Sequence, residues 1–218
     1  NALTLLAAAI FLFLYLPILV VVALSFNESR RGVHFTGFTL KWYQGLFQDP
    51  RVLEYFANTL VVALVSTLVS TVLGTLLALG LVRYRFPGKG FLRSLLYVPV
   101  VVPDVVMGVS LLLLFAFSRE LLGFPRLSLL TVILGHITFQ VAFVTLVVRS
   151  RLLLLDPALE EAARDLGARG FQTFLHVTLP LAWPGVAAGA LLALTLSLDD
   201  FVVTFFTAGP GATTLPLY

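Results

Sequence analysis

The sequence contains no cysteine and few charged residues. The absence of cysteine excludes a disulfide scaffold, a cysteine zinc site and a thiol nucleophile. Charged residues make up 11% and apolar residues 59% of the 218 residues, whereas an ordinary soluble domain has about 25% charged residues. A soluble protein needs polar residues to cover its surface, but lipid tails solvate an apolar exterior. The composition therefore excludes a soluble globular protein and predicts a protein that lies in a bilayer.

The sequence also lacks any motif for catalysis or nucleotide binding. It contains no glycine-rich loop that ends in Lys-Ser or Lys-Thr, no His-Glu-x-x-His and no recognisable pair of nucleophile and base. The net charge of +3 is too small to indicate nucleic-acid binding. We therefore predict that the chain is not an enzyme, binds no nucleic acid and holds no cofactor or metal of its own.

Five apolar segments are long enough to cross a membrane. A helix rises about 1.5 Å per residue, so roughly 20 residues cross a hydrocarbon core of about 30 Å. The five segments are 3–26, 55–82, 94–118, 127–148 and 177–198, and the only charged residue within them is Asp104. We predict an all-α, polytopic transmembrane helical bundle in which 1–218 forms a single transmembrane domain.

The distribution of basic residues predicts the orientation, because cytoplasmic loops of membrane proteins are enriched in Lys and Arg. The second and fourth connections, 83–93 and 149–176, each carry four basic residues, and the first, third and fifth carry four, two and none. The second and fourth connections are therefore predicted to lie in the cytoplasm.

The fourth connection is predicted to contain a short helix, a turn and a second helix. Asp156-Pro157 is typical of a helix start, Glu160 and Glu161 suit the positive end of the helix dipole, and Gly167 is typical of a helix stop. The second helix is expected to start near position 170. One face of the first helix is apolar, formed by Leu159, Ala162, Ala163 and Leu166. This face fits either a groove on a partner protein or the lipid headgroups.

The spacing of residues in this connection resembles the EAA motif of the membrane subunits of ATP-binding-cassette (ABC) importers. The matching residues are Glu161, Ala162, Ala163, Gly167, Leu179 and Pro180, with Val177 where the family often has Ile. The resemblance implies that 149–180 is a cytoplasmic coupling loop, that these six residues couple it to a partner ATPase, and that the fold is that of a type I ABC importer permease.

Further segments resemble the spermidine/putrescine branch of that family, and within it the second permease subunit. They are 25–27, 41–43, 83–89, 197–203, 207–210 and 215–217. The resemblance implies a multi-pass protein of the bacterial inner membrane, with a sixth span expected after the segment Leu215-Pro216-Leu217. The implied partners are membrane lipid, a second homologous permease subunit, a cytoplasmic ATPase dimer that uses ATP and Mg²⁺, and a periplasmic or extracellular substrate-binding protein.

Asp104 is a candidate for the substrate pathway because an ionisable residue inside a span is costly and is often functional. It lies about ten residues into the third predicted span, hence roughly 15 Å along a straight helix and near the midplane. Pro99 and Pro103 interrupt the helix there and free backbone carbonyls. The alternative is that Asp104 caps a helix that restarts after Pro103.

Asp199 and Asp200 are the other candidates for the substrate pathway, expected near the outer mouth. Adjacent side chains on a helix point about 100° apart, so we expect one carboxylate to face a cavity and the other to pair or to cap a helix. The alternative is a solvated helix end. The neighbouring aromatic residues are expected to serve as membrane anchors rather than as cation-π partners; they are Trp183, Phe201, Phe205 and Phe206.

Other polar and small residues predict contacts between helices. His136 and Gln140 share one helix face and are expected to hydrogen-bond to a neighbouring helix rather than to bind metal. Small residues recur every fourth position and should allow helices to approach closely; they are Ser66, Ser70 and Gly74, then Thr67, Thr71 and Thr75, then Gly185 and Gly189.

Three other functions remain open at this stage. One alternative is an ABC importer that has the same coupling motif but carries another solute, such as an aminophosphonate, iron or a sugar, because the motif does not report the cargo. A secondary transporter is expected to show a buried charge network or an inverted repeat, neither of which the sequence shows. A membrane scaffold would bind partners without substrate-stimulated ATP hydrolysis.

Overall fold

The structure is a computed structural model that describes residues 2–29 and 34–218. Within these residues the chain is helical, and no β-strand forms beyond an isolated bridge between Asn27 and Phe38. The α-helices are α1 Ala2–Ser25, α2 Lys41–Gln48, α3 Pro50–Arg83, α4 Lys89–Leu95, α5 Val98–Val101, α6 Asp104–Leu122, α7 Leu129–Leu153, α8 Ala158–Asp165, α9 Gly170–Thr173, α10 Leu179–Leu198 and α11 Val202–Thr207. A π-helical turn, Phe174–Thr178, joins α9 to α10.

Five of the described helices are long and apolar enough to cross a membrane. They are Ala2–Ser25, Pro50–Arg83, Asp104–Leu122, Leu129–Leu153 and the continuous helix Gly170–Leu198. The prediction of an all-α bundle with five spans is therefore confirmed. Aliphatic side chains dominate these helices because the hydrocarbon core solvates them, while each backbone N–H finds its carbonyl within the helix.

The third span differs from its predicted bounds of 94–118. The chain before it forms the short helices α4 and α5, is extended at Val102, and starts α6 at Asp104. The predicted interruption at Pro99 and Pro103 is therefore confirmed, and Asp104 lies at the start of α6 rather than ten residues along a straight helix. Pro99 and Pro103 account for the difference, because a proline removes a backbone donor and disfavours helical geometry in the residue before it.

Backbone contacts divide the chain into two compact units, 1–54 and 55–218. In the first unit, the segment after α1 folds around the buried side chain of Asn27. The side-chain Nδ2 of Asn27 donates to the carbonyl of His34 (2.7 Å), and its Oδ1 accepts from the Thr36 N–H (2.8 Å). The backbone carbonyl of Asn27 accepts from Trp42 Nε1 (2.9 Å). The segments 25–27 and 41–43, which carry part of the resemblance, therefore meet in space.

In the second unit, the main apolar core lies between α3, α7 and α10. Its buried members are Ala78, Val144, Val148, Leu152, Ala182, Val186 and Ala193. A second cluster joins α6, α7 and α11 through Leu111, Phe115, Phe139 and Val203. Together the two clusters place α7 at the centre of the unit.

The buried polar residues of α7 bond to neighbouring helices, as the sequence predicts. Gln140 Nε2 donates to the carbonyl of Ala193 (3.1 Å), and its Oε1 accepts from Ser70 Oγ (3.1 Å). His136 Nδ1 lies 2.6 Å from Ser197 Oγ. These bonds tie α3, α7 and α10 together in a region where no solvent would satisfy the same groups.

The glycines of α3 and α10 permit close helix contacts, which confirms their predicted role, whereas Thr71 and Thr75 line an apolar cavity between α3 and α10. A Cβ placed on Gly74 would lie 2.7 Å from Val144 Cγ1, and one on Gly189 would lie 3.3 Å from the same atom. A Cβ on Gly185 would lie 2.5 Å from Arg151 Cβ. Side chains at these positions would force α3 and α10 away from α7.

Replacing Gly74 with alanine is expected to lower the stability of the helix bundle. The added Cβ would also lie 3.1 Å from the backbone nitrogen of Thr145, so the helices must separate, at a cost of about 1–3 kcal/mol. The matched control is Gly80→Ala in the same helix, where an added Cβ meets no atom within 4 Å. We expect a lower thermal unfolding midpoint in detergent for Gly74→Ala only; equal midpoints would contradict the close contact.

Candidate functional site

The helix α8 begins and ends with the local signals that its sequence predicts. Asp156 Oδ1 accepts a hydrogen bond from the Ala158 N–H (2.9 Å), which satisfies one free donor of the first turn. At the other end, the Gly167 N–H donates to the Arg164 carbonyl (2.9 Å) and the Ala168 N–H donates to the Ala163 carbonyl (3.0 Å). This pair of bonds is a Schellman motif, and it stops the helix.

Gly167 has a backbone conformation that favours glycine. Its φ is +91°, in the left-handed region. A Cβ at this position would meet no atom within 4 Å. The requirement for glycine is therefore one of backbone conformation, because the surrounding space would accept a side chain.

The predicted coupling residues lie at two places. Glu161 and Ala162 are exposed and Ala163 is half-buried on α8, followed by exposed Gly167. The apolar face of α8 is also exposed, and Leu166 at its end is 90% exposed. Leu179, by contrast, packs against the core cluster between α3, α7 and α10, and Pro180 lies beside it in the first turn of α10. The predicted coupling residues therefore form two groups, one on or just after the exposed helix α8 and one in the first turn of α10.

The first turn of α8 is joined to two spans by a polar contact that the sequence analysis did not assign. Glu160 Oε1 accepts from Arg83 Nε (3.0 Å), at the end of α3, and from Thr178 Oγ1 (2.9 Å), just before α10. The sequence marked Glu160 only as a helix-dipole residue. No sequence signal links it to Arg83, which lies 77 positions earlier.

The three predicted pathway carboxylates line one cavity. Asp104, Asp199 and Asp200 border a space of about 410 Å³, together with apolar residues of the break before α6, of α7 and of α10. The sequence predicted Asp104 near the membrane midplane and the aspartate pair near the outer mouth. In the folded chain all three residues line the same cavity. The break before α6 makes this possible, since it exposes Pro99 and Asp104 to the same space as the end of α10.

Asp199 and Asp200 differ in their partners. Asp200 Oδ2 accepts from the backbone N–H (2.8 Å) and the hydroxyl (2.9 Å) of Thr204, and it lies 3.2 Å from His136 Nε2. Asp200 therefore starts α11 and pairs with α7, as expected for one member of the pair. Among residues 2–29 and 34–218, no hydrogen bond or ion pair engages the side chains of Asp104 and Asp199. Both are exposed towards the cavity.

Aromatic side chains lie close to these carboxylates. Phe201 lines the cavity, and so do Phe139 and Phe143 of α7, which the sequence analysis missed. Their signal was present, because Phe139 and Phe143 fall three and seven positions after His136, on the same helix face. Phe206 instead packs against Gly108 of α6, and Trp183 lines a separate apolar cavity between α3 and α10.

Comparison with known proteins identifies the family of this chain. The family model described as binding-protein-dependent transport system inner membrane component matches residues 70–217. The spermidine/putrescine transport system permease protein PotC of Escherichia coli is 44% identical over 209 residues, which cover 96% of this chain and 77% of PotC. The putrescine transport system permease protein PotI of the same organism is 43% identical over 209 residues, which cover 95% of this chain and 74% of PotI.

Solved structures support the same fold. A bacterial ABC transporter involved in the import of the acidic polysaccharide alginate matches with a TM-score of 0.74 and 20% identity, over 97% of this chain and 78% of that chain. An amino acid ABC transporter matches with a TM-score of 0.55 and 21% identity, over 82% of this chain and 78% of that chain. The predicted fold, family and inner-membrane location are confirmed, and the chain belongs to the binding-protein-dependent transport system inner membrane component family, the permease subunits of ABC importers.

Proposed function

We propose that this chain is the permease subunit of an ATP-driven polyamine importer and forms one half of its translocation pathway. A second, homologous permease subunit forms the other half within the lipid. Two ATPase subunits, which bind ATP and Mg²⁺, dock at α8 in the cytoplasm, and a substrate-binding protein delivers the polyamine from the opposite side. The relatives PotC, a spermidine/putrescine permease protein, and PotI, a putrescine permease protein, support this cargo.

The observation that carries the proposal is the cavity lined by Asp104, Asp199 and Asp200. A polyamine is a flexible alkyl chain with several ammonium groups, so it needs carboxylates to replace water around the charges and apolar walls along the methylenes. Phe139, Phe143 and Phe201 supply such walls and can also face an ammonium group. Because Asp200 is already bound to His136 and Thr204, Asp104 and Asp199 are the carboxylates that meet the substrate.

A single continuous helix connects the proposed coupling site to this cavity. The helix Gly170–Leu198 has 29 residues, which corresponds to roughly 43 Å at about 1.5 Å per residue. It starts two residues after the turn that follows α8 and ends beside Asp199. Movement of α8 by the ATPase would therefore reach the carboxylates through one continuous helix and alternate their access between the two sides.

The proposal is tested by reconstituting the complex in vesicles with its ATPase and second permease subunits. We expect ATP hydrolysis to accelerate when a binding protein loaded with spermidine or putrescine is added, and labelled amine to accumulate inside. Acceleration by a binding protein loaded with a sugar or an aminophosphonate, and none by the amine-loaded protein, would reject the cargo. Uptake without the ATPase subunits would reject the ABC mechanism.

Asp104→Asn and Asp199→Asn are expected to reduce spermidine uptake. Each variant removes one charge-assisted contact of about 1.5–3 kcal/mol, so uptake at subsaturating substrate should fall about ten- to a hundredfold. The matched control is Glu120→Gln, which removes an exposed negative charge at the other end of α6 and should transport normally. Initial rates within twofold of the unsubstituted protein for both aspartate variants would remove these residues from the pathway.

Gly167→Pro and Glu161→Lys are expected to abolish uptake although the protein still inserts. Proline cannot adopt the positive φ of Gly167 and removes the N–H that bonds to Arg164. Lysine reverses an exposed charge on the proposed docking face. Gly167→Asn is the matched control, because asparagine tolerates the left-handed region and keeps the N–H. Normal ATP-dependent uptake by Gly167→Pro or by Glu161→Lys would contradict the coupling role of α8.

A further inference from the structure

One oxygen atom of Glu160 joins three helical elements. Glu160 Oε1 lies 3.0 Å from Arg83 Nε and 2.8 Å from Arg83 Nη2, and it accepts from Thr178 Oγ1 at 2.9 Å. Glu160 belongs to the first turn of α8, Arg83 is the last residue of α3, and Thr178 directly precedes α10. The contact therefore connects a short exposed helix to the ends of two spans.

The contact is shielded from solvent, so the loss of one partner costs more than it does in an ordinary surface ion pair. The Arg83 and Glu160 side chains are 18% and 12% exposed, and Thr178 is buried. An exposed pair is screened by water and contributes little, whereas a partner left alone in a shielded pair is costly. By comparison, the neighbouring residues Arg85 and Glu161 are exposed.

Apolar packing does not fill the space around this contact. A cavity of about 360 Å³ lies beside it, bordered by the end of α3, by α8 and by the segment that leads into α10. Leu79 and Phe174 border this cavity on the sides of α3 and α10. The polar contact at Glu160 therefore bridges elements that are separated by open space over part of their facing surfaces.

We propose that Glu160 is a positioning residue which, through Arg83 and Thr178, fastens α8 to the ends of α3 and α10 so that the three elements move together. This inference rests on the coupling role proposed for α8. It assigns different tasks to two adjacent acids: Glu161 faces the ATPase, and Glu160 faces inward and passes the movement of α8 to both spans. Without the contact, the ATPase would displace α8 while α3 and α10 keep their positions.

Reversal of either charge is expected to uncouple ATP hydrolysis from uptake. In the reconstituted complex, Arg83→Glu and Glu160→Arg should each lower the amount of substrate imported per ATP hydrolysed about tenfold, while the complex still assembles and hydrolyses ATP. The double variant Arg83→Glu/Glu160→Arg restores opposite charges and should return to within about threefold of the original ratio. Arg85→Glu makes the same charge change two positions away and should leave the ratio unchanged.

A milder variant covers the case in which a charge reversal prevents assembly. Thr178→Val keeps the shape of the side chain and removes only the donated hydrogen bond, so import per ATP should fall by about threefold with normal assembly. Hydrogen exchange in the assembled complex should be faster for the amides of α8 in this variant and in Arg83→Gln. Unchanged import ratios and unchanged exchange in both of these variants would overturn the inference. The inference would also be overturned if the double charge reversal imports no more substrate per ATP than the worse of the two single variants.

The test separates this inference from the coupling role itself. If Gly167→Pro and Glu161→Lys abolish uptake while Arg83→Gln and Thr178→Val behave normally, α8 couples to the ATPase but Glu160 does not fasten it. If Gly167→Pro and Glu161→Lys transport normally, the coupling role fails, and the inference fails with it.

Discussion

The hydrocarbon core of a membrane supplies no hydrogen-bond partners, and this constraint governs where polar residues occur in the bundle. The two largest buried polar side chains of α7 are satisfied by other helices: His136 by α10 and α11, and Gln140 by α3 and α10. Such bonds require helices in close contact, and glycines at positions 74 and 189 provide that contact around Val144. Small residues and polar residues thus act together, since the first allow the approach that the second need.

The same constraint makes the aspartate cavity unusual. Carboxylates are costly near lipid unless they are paired or solvated. Asp200 is paired, but Asp104 and Asp199 border an open space. The chain keeps this space by interrupting the third span at Pro103, which leaves Asp104 at the start of a helix rather than within one. A proline break, which weakens a helix, here helps to form a polar cavity among apolar walls.

One continuous helix connects the segment after α8 with the aspartate cavity. The helix Gly170–Leu198 begins just beyond α8 and ends at the aspartate pair, and in the proposed mechanism it carries the displacement of its base to the residues at its far end. Its base is held to α3 through Glu160 and Arg83, and its middle packs on α7 through Ala182 and Val186. These contacts suit the alternating access that we propose, in which packed helices move as units.

Properties that depend on neighbouring residues could be predicted from the sequence alone. Apolar length determined the five spans, Asp156 and Gly167 determined the ends of α8, and the proline pair indicated a break in the third span. The tertiary structure decided which distant groups meet: Asp104 and Asp199 at one cavity, and Glu160 with Arg83. The physical reason is that helix formation follows local hydrogen bonds and local hydrophobicity, whereas a site depends on the packing angle and rotation of whole helices, which no single segment encodes.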